Sequence, residues 1–209
     1  MRQPKDAAMQ PDTHALIVID VQNDFCPGGA LAVAEGDTIL PGINALMEDY
    51  AAIILTQDWH PFGHSSFASQ HPGAAPFSVV DFPYGPQVLW PDHCIQSSPG
   101  AEFHPELKTS AADLIIRKGF RPQIDSYSAF FENDHVTPTG LEGYLRTRGI
   151  TDLTMVGLAT DFCVNFSAVD AAKLGFAVTV RTDLCRAIDL DGSLAAAVQG
   201  MEAAGVRLE

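Results

Sequence analysis

Positive charge is scarce in this sequence: 12 Lys and Arg stand against 26 Asp and Glu, a formal charge of −14. Phosphate-rich partners are gripped by clustered basic side chains, so neither nucleic acid nor an anionic membrane surface is expected as a partner. Long apolar runs are missing as well. None approaches the ~20 residues that cross a bilayer, and the longest, residues 15–21 and 51–55, have the length of buried strands. Residues 1–12 are polar, without the apolar stretch of a secretory signal, so a cytoplasmic location is expected. Cysteine is sparse: Cys26, Cys94, Cys163 and Cys185 are widely separated with no C-x-x-C pair, which favours free thiols over a disulfide framework. Repeats and low-complexity tracts are absent. What remains is a chain of 209 residues, 46% hydrophobic and 18% charged, which suits one folded domain over residues 1–209.

The apolar pattern alternates between strand and helix. Residues 15–21 form a continuous, largely β-branched run, the signature of a strand covered on both faces. Residues 51–56, 113–117, 152–156 and 176–181 repeat that pattern, and 206–208 adds a short edge strand. Helical spacing appears over 39–50, 141–148, 161–174 and 193–204, with Gly149, Gly175 and Gly205 placed as C-terminal stops. Such alternation predicts an α/β fold, a mostly parallel central sheet with helices on both faces in three layers. Residues 57–110 break the rhythm. The stretch is rich in Pro, Gly, His and aromatics, and a loop of that length inside a compact domain is expected to be functional.

In open parallel sheets, ligands bind beyond the carboxyl ends of the strands. The first strand delivers Asp20, the second Asp58, Trp59 and His60, the third Lys118 and Gly119, and the fourth Gly157 to Cys163. A carboxylate, an Asp-x-His pair, a lysine and a cysteine therefore converge on one edge. Cys163 begins a helix, where backbone amides and the macrodipole favour a thiolate. With Lys118 as a neighbouring ammonium and Asp20 as a proton acceptor it is the leading candidate nucleophile. Cys94, beside His93, and Cys26, in a Gly-rich turn, compete for that role. Asp58-x-His60 has the make-up of a metal-ligand pair, with His64, Ser66, His71 and His93 available to complete it; such a set suits Zn, Fe or Mn. His14, His104 and His135 have no evident partner.

The stretches Asp20-Val-Gln-Asn-Asp-Phe25-Cys-Pro-Gly-Gly, Thr56-Gln-Asp58-Trp-His60-Pro, Trp90-Pro-Asp-His93-Cys, Arg117-Lys118-Gly119 and Gly157-Leu-Ala-Thr160-Asp-Phe-Cys163-Val follow one another in this order. Together they resemble the nicotinamidase branch of the isochorismatase-like cysteine hydrolases. The resemblance extends from about residue 14 to residue 190. It implies hydrolysis of nicotinamide to nicotinate and ammonia in NAD salvage, extending to pyrazinamide, through a thioester on Cys163. It also implies a catalytic triad of Asp20, Lys118 and Cys163, an oxyanion hole from the amides of Ala159 and Cys163, and a cis peptide at Leu158–Ala159. One divalent transition metal per chain, zinc ahead of iron or manganese, would sit on Asp58, His60 and His93. The fourth ligand is Ser66 or His64, with Ser66 favoured, directly or through water. The metal would hold the pyridine nitrogen, and Phe25, Trp90 and Tyr127 would pack the ring. The resemblance leaves homo-oligomerisation open. The alternatives are a related amidase acting on a carbamoyl or ureido substrate, a metal-hydroxide hydrolase, and an inactive ligand-binding scaffold.

Overall fold

In the computed structural model, which describes residues 10–209, the chain runs through eight strands and four α-helices. The polar stretch at 1–12 lies outside the described residues as far as residue 9. The strands are β1 (His14–Ile19), β2 (Ala52–Asp58), β3 (Val79–Phe82), β4 (Gly85–Val88), β5 (Leu114–Lys118), β6 (Asp152–Leu158), β7 (Ala177–Arg186) and β8 (Arg207–Leu208). The helices are α1 (Leu40–Leu46), α2 (Leu141–Thr147), α3 (Asn165–Lys173) and α4 (Ser193–Ala203).

Six strands form one sheet in the order β5-β2-β1-β6-β7-β8, and each neighbouring pair is parallel. The chain builds outward from β1 through β2 to β5, then returns to the other side of β1 and continues through β6, β7 and β8. Strand order therefore reverses beside β1, which opens a crevice at the carboxyl edge. Alternate residues of β1 and β2 serve two cores. Ala15, Ile17, Ile19, Ala52 and Ile54 pack with Leu141 and Leu145 of α2, Ala168 and Ala171 of α3 and Met201 of α4. Leu16, Val18, Ile53 and Leu55 pack on the other face with Leu40 and Ile43 of α1. Burial on both faces is why these strands are apolar throughout instead of alternating.

The expected α/β architecture is present, with two departures. β7 runs to Arg186, five residues beyond the expected end at 181. Its pairing with β6 shifts register between Met155 and Gly157, so that Gly157 faces Cys185, and Thr182 and Asp183 bulge into solvent. Those polar residues hid the strand's continuation. The second departure lies within residues 57–110, where β3 and β4 form a separate antiparallel hairpin. Pro86 sits within β4, a residue that argues against a strand except at a sheet edge.

Candidate active site

Asp20 follows the last residue of β1 and takes a positive φ of 48°, which turns the chain and leaves its side chain fully buried. Its carboxylate is oriented by Thr56 of β2: the Thr56 hydroxyl donates to Asp20 Oδ1 at 2.6 Å, and Thr56 Oγ1 accepts from the Asp20 backbone N–H at 3.1 Å. Asp20 Oδ2 has an ion pair with Lys118 at 2.8 Å but makes no well-formed hydrogen bond, leaving a lone pair for a proton. Lys118, the last residue of β5, is 1% exposed. Its Nζ also lies 3.0 Å from Asp58 Oδ1, 2.9 Å from the Ser126 carbonyl and 3.5 Å from Cys163 Sγ. The pairing of Lys118 with Asp58 was not anticipated from sequence.

Cys163 lies in a π turn, Thr160–Val164, that precedes α3. Such turns often mark functional positions in helices. The peptide before this turn, Leu158–Ala159, is cis as expected. Burial pushes the Cys163 thiol well above its ordinary range; Lys118 pulls it back toward the thiolate, but Asp20 and Asp58 push it further up. Burial likewise raises Asp20 above the ordinary carboxylate range, against the pull of Lys118. Between its two carboxylates, Lys118 is held charged, well above the usual lysine value, despite the opposing effect of burial.

A second cluster adjoins the first. Ligand atoms of Asp58, His60 and His93 all lie within 4.8 Å of one another, and the three residues are buried. Asp58 Oδ2 is 2.9 Å from His60 Nε2 and 3.3 Å from His93 Nε2. Two distant segments meet here because the His60 N–H donates to the Cys94 carbonyl at 3.0 Å and the Gln96 N–H to the His60 carbonyl at 2.8 Å. Gln22 fixes Asp58 from behind, donating to its carbonyl at 2.8 Å and accepting from its N–H at 2.7 Å.

The histidine tautomers follow from their partners. His60 Nδ1 is 2.9 Å from the Gly119 carbonyl and His93 Nδ1 is 2.8 Å from the Pro91 carbonyl. Carbonyls only accept, so each Nδ1 carries a proton, which leaves Nε2, on the side of Asp58, as the ring atom each histidine can offer to a cation. His60 Nε2 is buried without a hydrogen-bond partner. An orphaned imidazole nitrogen facing a carboxylate and a second imidazole is the donor set of a divalent transition-metal site. Gly119 is part of this cradle: at φ +66° a Cβ there would stand 2.5 Å from His60 Cε1. His64 is spoken for, with Nε2 on the Arg121 carbonyl at 2.8 Å and Nδ1 on Ser66 Oγ at 2.8 Å. Since Nε2 carries the proton, Ser66 is the donor to Nδ1, and lone pairs of Ser66 Oγ stay available.

Cys163, Ala159, Asp58 and His93 line one cleft, whose walls include Phe25, Trp90 and Tyr127. Every residue singled out for ring packing is therefore at the cleft. Sequence reasoning missed Leu31, Asp125, Phe162 and Ile188, which also line it; Phe162 was legible as a neighbour of Cys163, whereas the others required the fold. The competing thiols do not join this cleft. Cys94 is buried and held by its N–H on Asp24 Oδ2 at 2.7 Å, and burial raises the Cys26 thiol to about 11. His71 bonds the Ser65 carbonyl at 2.7 Å, and His14 bonds Thr154 Oγ1 at 2.9 Å.

A doubly wound α/β chain that buries a thiol, an ammonium and a carboxylate at the carboxyl edge of its sheet has the constitution of a cysteine-dependent hydrolase. The chain belongs to the isochorismatase family, whose domain matches residues 14–208. It is 56% identical over 198 residues to the nicotinamidase of Acinetobacter baylyi, covering 95% of this chain and 92% of that protein. A solved nicotinamidase/pyrazinamidase from Acinetobacter baumannii superposes with a TM-score of 0.94 at 57% identity, covering 95% and 96% of the two chains. The pyrazinamidase of Pyrococcus horikoshii, solved in complex with zinc, gives a TM-score of 0.75 at 35% identity, covering 94% and 98%.

Proposed function

We propose that the protein is a nicotinamidase, which hydrolyses the carboxamide of nicotinamide to nicotinate and ammonia within NAD salvage and accepts pyrazinamide as well. The observation that carries this reading is Lys118, whose ammonium touches Asp20, Cys163 and Asp58 at once and so joins a nucleophile cluster to a metal-ligand cluster at one cleft. The likeness to nicotinamidases supports the choice of amide.

The chemistry follows from what surrounds the thiol. As Cys163 Sγ attacks the amide carbon, its proton passes to Asp20 Oδ2, the carboxylate oxygen without a hydrogen bond. Lys118, charged throughout, stabilises the developing thiolate and keeps Asp20 in place. The amides of Ala159 and Cys163 receive the oxyanion, a contribution worth about 2.7–4 kcal/mol per donor in related chemistry. Asp20 returns the proton to the departing ammonia, and water attacking the thioester releases nicotinate and restores the thiol. Asp58, His60 and His93 would hold one divalent transition metal, zinc first, with iron or manganese as alternatives. Bound there, it supplies a Lewis-acid anchor for the pyridine nitrogen. Ser66, directly or through water, is the better fourth partner, because both ring nitrogens of His64 are committed. Phe25, Trp90 and Tyr127 pack the ring.

Ammonia release from nicotinamide and from benzamide, by metal-loaded and metal-stripped protein, tests the reading. Nicotinamide is expected to be the far better substrate, because benzamide lacks the nitrogen the site is built to hold, and stripping the metal should narrow the gap. No release from nicotinamide, with release from a ureido substrate instead, would assign the chain to another amidase of the family.

A further inference from the structure

Of the residues in the two strands of the β3–β4 hairpin, Gln87 alone is fully buried, and it is polar. An apolar side chain at that place would hold the hairpin by burial alone; a buried amide must find partners or cost stability. Gln87 finds them in the layer behind the cleft wall. Its Nε2 donates to Asp125 Oδ2 at 2.9 Å and lies 2.8 Å from Tyr127 Oη and 2.7 Å from the Val88 carbonyl. Its Oε1 accepts from Asn133 Nδ2 at 3.0 Å and from Tyr84 Oη at 3.2 Å.

Two of these partners, Asp125 and Tyr127, line the cleft beside Cys163, whereas Gln87 does not. Tyr127 Oη also accepts from Trp90 Nε1 at 3.0 Å. Trp90, Tyr127 and Phe162 then stand edge to face, with centroids 6.0 Å apart for Trp90–Tyr127, 4.8 Å for Trp90–Phe162 and 5.6 Å for Tyr127–Phe162. This geometry is favourable for each pair, but the hydroxyl bonded to Gln87 and Trp90 is what fixes the tilt of the Tyr127 ring. We infer that Gln87 is a positioning residue for the substrate ring, pinning Tyr127 and Asp125 so that the three-ring wall keeps the shape a flat heteroaromatic amide requires. The inference rests on the reading of this cleft as the pyridine-amide pocket.

The test is the division of an effect between KM and kcat. Gln87→Met keeps length and removes every hydrogen bond. It should raise KM for nicotinamide about tenfold with kcat within about threefold, the pattern of lost binding common to ground and transition states. Metal content should stay that of the wild type. Tyr84→Phe, which removes one donor to Gln87 without touching the cleft, should raise KM in the same direction by about twofold to threefold. An unchanged KM in folded Gln87→Met, or a fall in kcat at constant KM, would overturn the inference. If Gln87→Met does not fold, an unchanged KM in Tyr84→Phe overturns it. Wild-type protein without nicotinamide turnover would remove the underlying reading and this inference together; a normal wild type with unaffected variants would remove the inference alone.

Discussion

Lys118 carries three N–H protons and has four acceptors around it: Asp20, Asp58, the Ser126 carbonyl and Cys163. One cation thus serves two buried carboxylates, and burial, with that surplus of negative charge beside it, pushes the thiol up. The proposed role of Asp20 as proton acceptor has a pH consequence. It acts when deprotonated and burial raises its pKa, so activity is lost as pH falls through a value above that of an ordinary aspartate. The acid limb of kcat/KM should lie at that raised position; a limb at or below the usual carboxylate range would contradict the assignment. Thr56 tests the geometry of the same group. Thr56→Val is isosteric and removes a hydrogen bond to a charged acceptor, worth about 1.5–3 kcal/mol. It should lower kcat by roughly tenfold or more, while Thr56→Ser retains most activity. Equal rates in both variants would mean that the hydroxyl does not orient the base. Asp20, Lys118 and Cys163 were legible in the sequence because strand ends announce themselves. Thr56 was not, since a threonine inside a strand reads as an ordinary β-branched residue.

At the level of elements, the metal-ligand cluster depends on backbone meeting backbone. The segment after β2 lies beside residues 94–96 through the hydrogen bonds of His60, and the turn after β5 supplies the Gly119 carbonyl to His60 Nδ1. Gly119→Ala should therefore lower metal content and activity together with little loss of fold, because a Cβ at that φ meets His60 Cε1 at 2.5 Å and Asp58 Oδ1 at 3.0 Å. Elemental analysis and circular dichroism check the two halves of that statement, and full metal retention would show that the turn can relax. The Asp-x-His pair and His93 could be found from residue type. Their meeting could not, because it rests on pairing between positions thirty-five residues apart, from 60 to 95. The hairpin escaped notice for a similar reason: its buried residue is Gln87, and hydropathy patterns record apolar faces only.

For the whole molecule, the order of strands was less legible than their existence. Continuous apolar runs dictate two-sided burial and hence a parallel sheet with helices on both faces. Nothing in those runs states that β6 returns beside β1, yet that return opens the crevice in which Asp20, Lys118 and Cys163 meet. The motifs at the strand ends carried that information through their likeness to a family, and coverage of residues 14–208 by the isochorismatase domain agrees with it. On the proposed mechanism, this scaffold presents Cys163 as the nucleophile beside a metal-ligand cluster that does not do the attacking. The most direct measurement is ammonia release from nicotinamide by Cys163→Ala at wild-type metal content. Turnover should disappear while the metal is retained; substantial turnover by that variant would rule out Cys163 as the nucleophile and shift the attack to a metal-bound hydroxide.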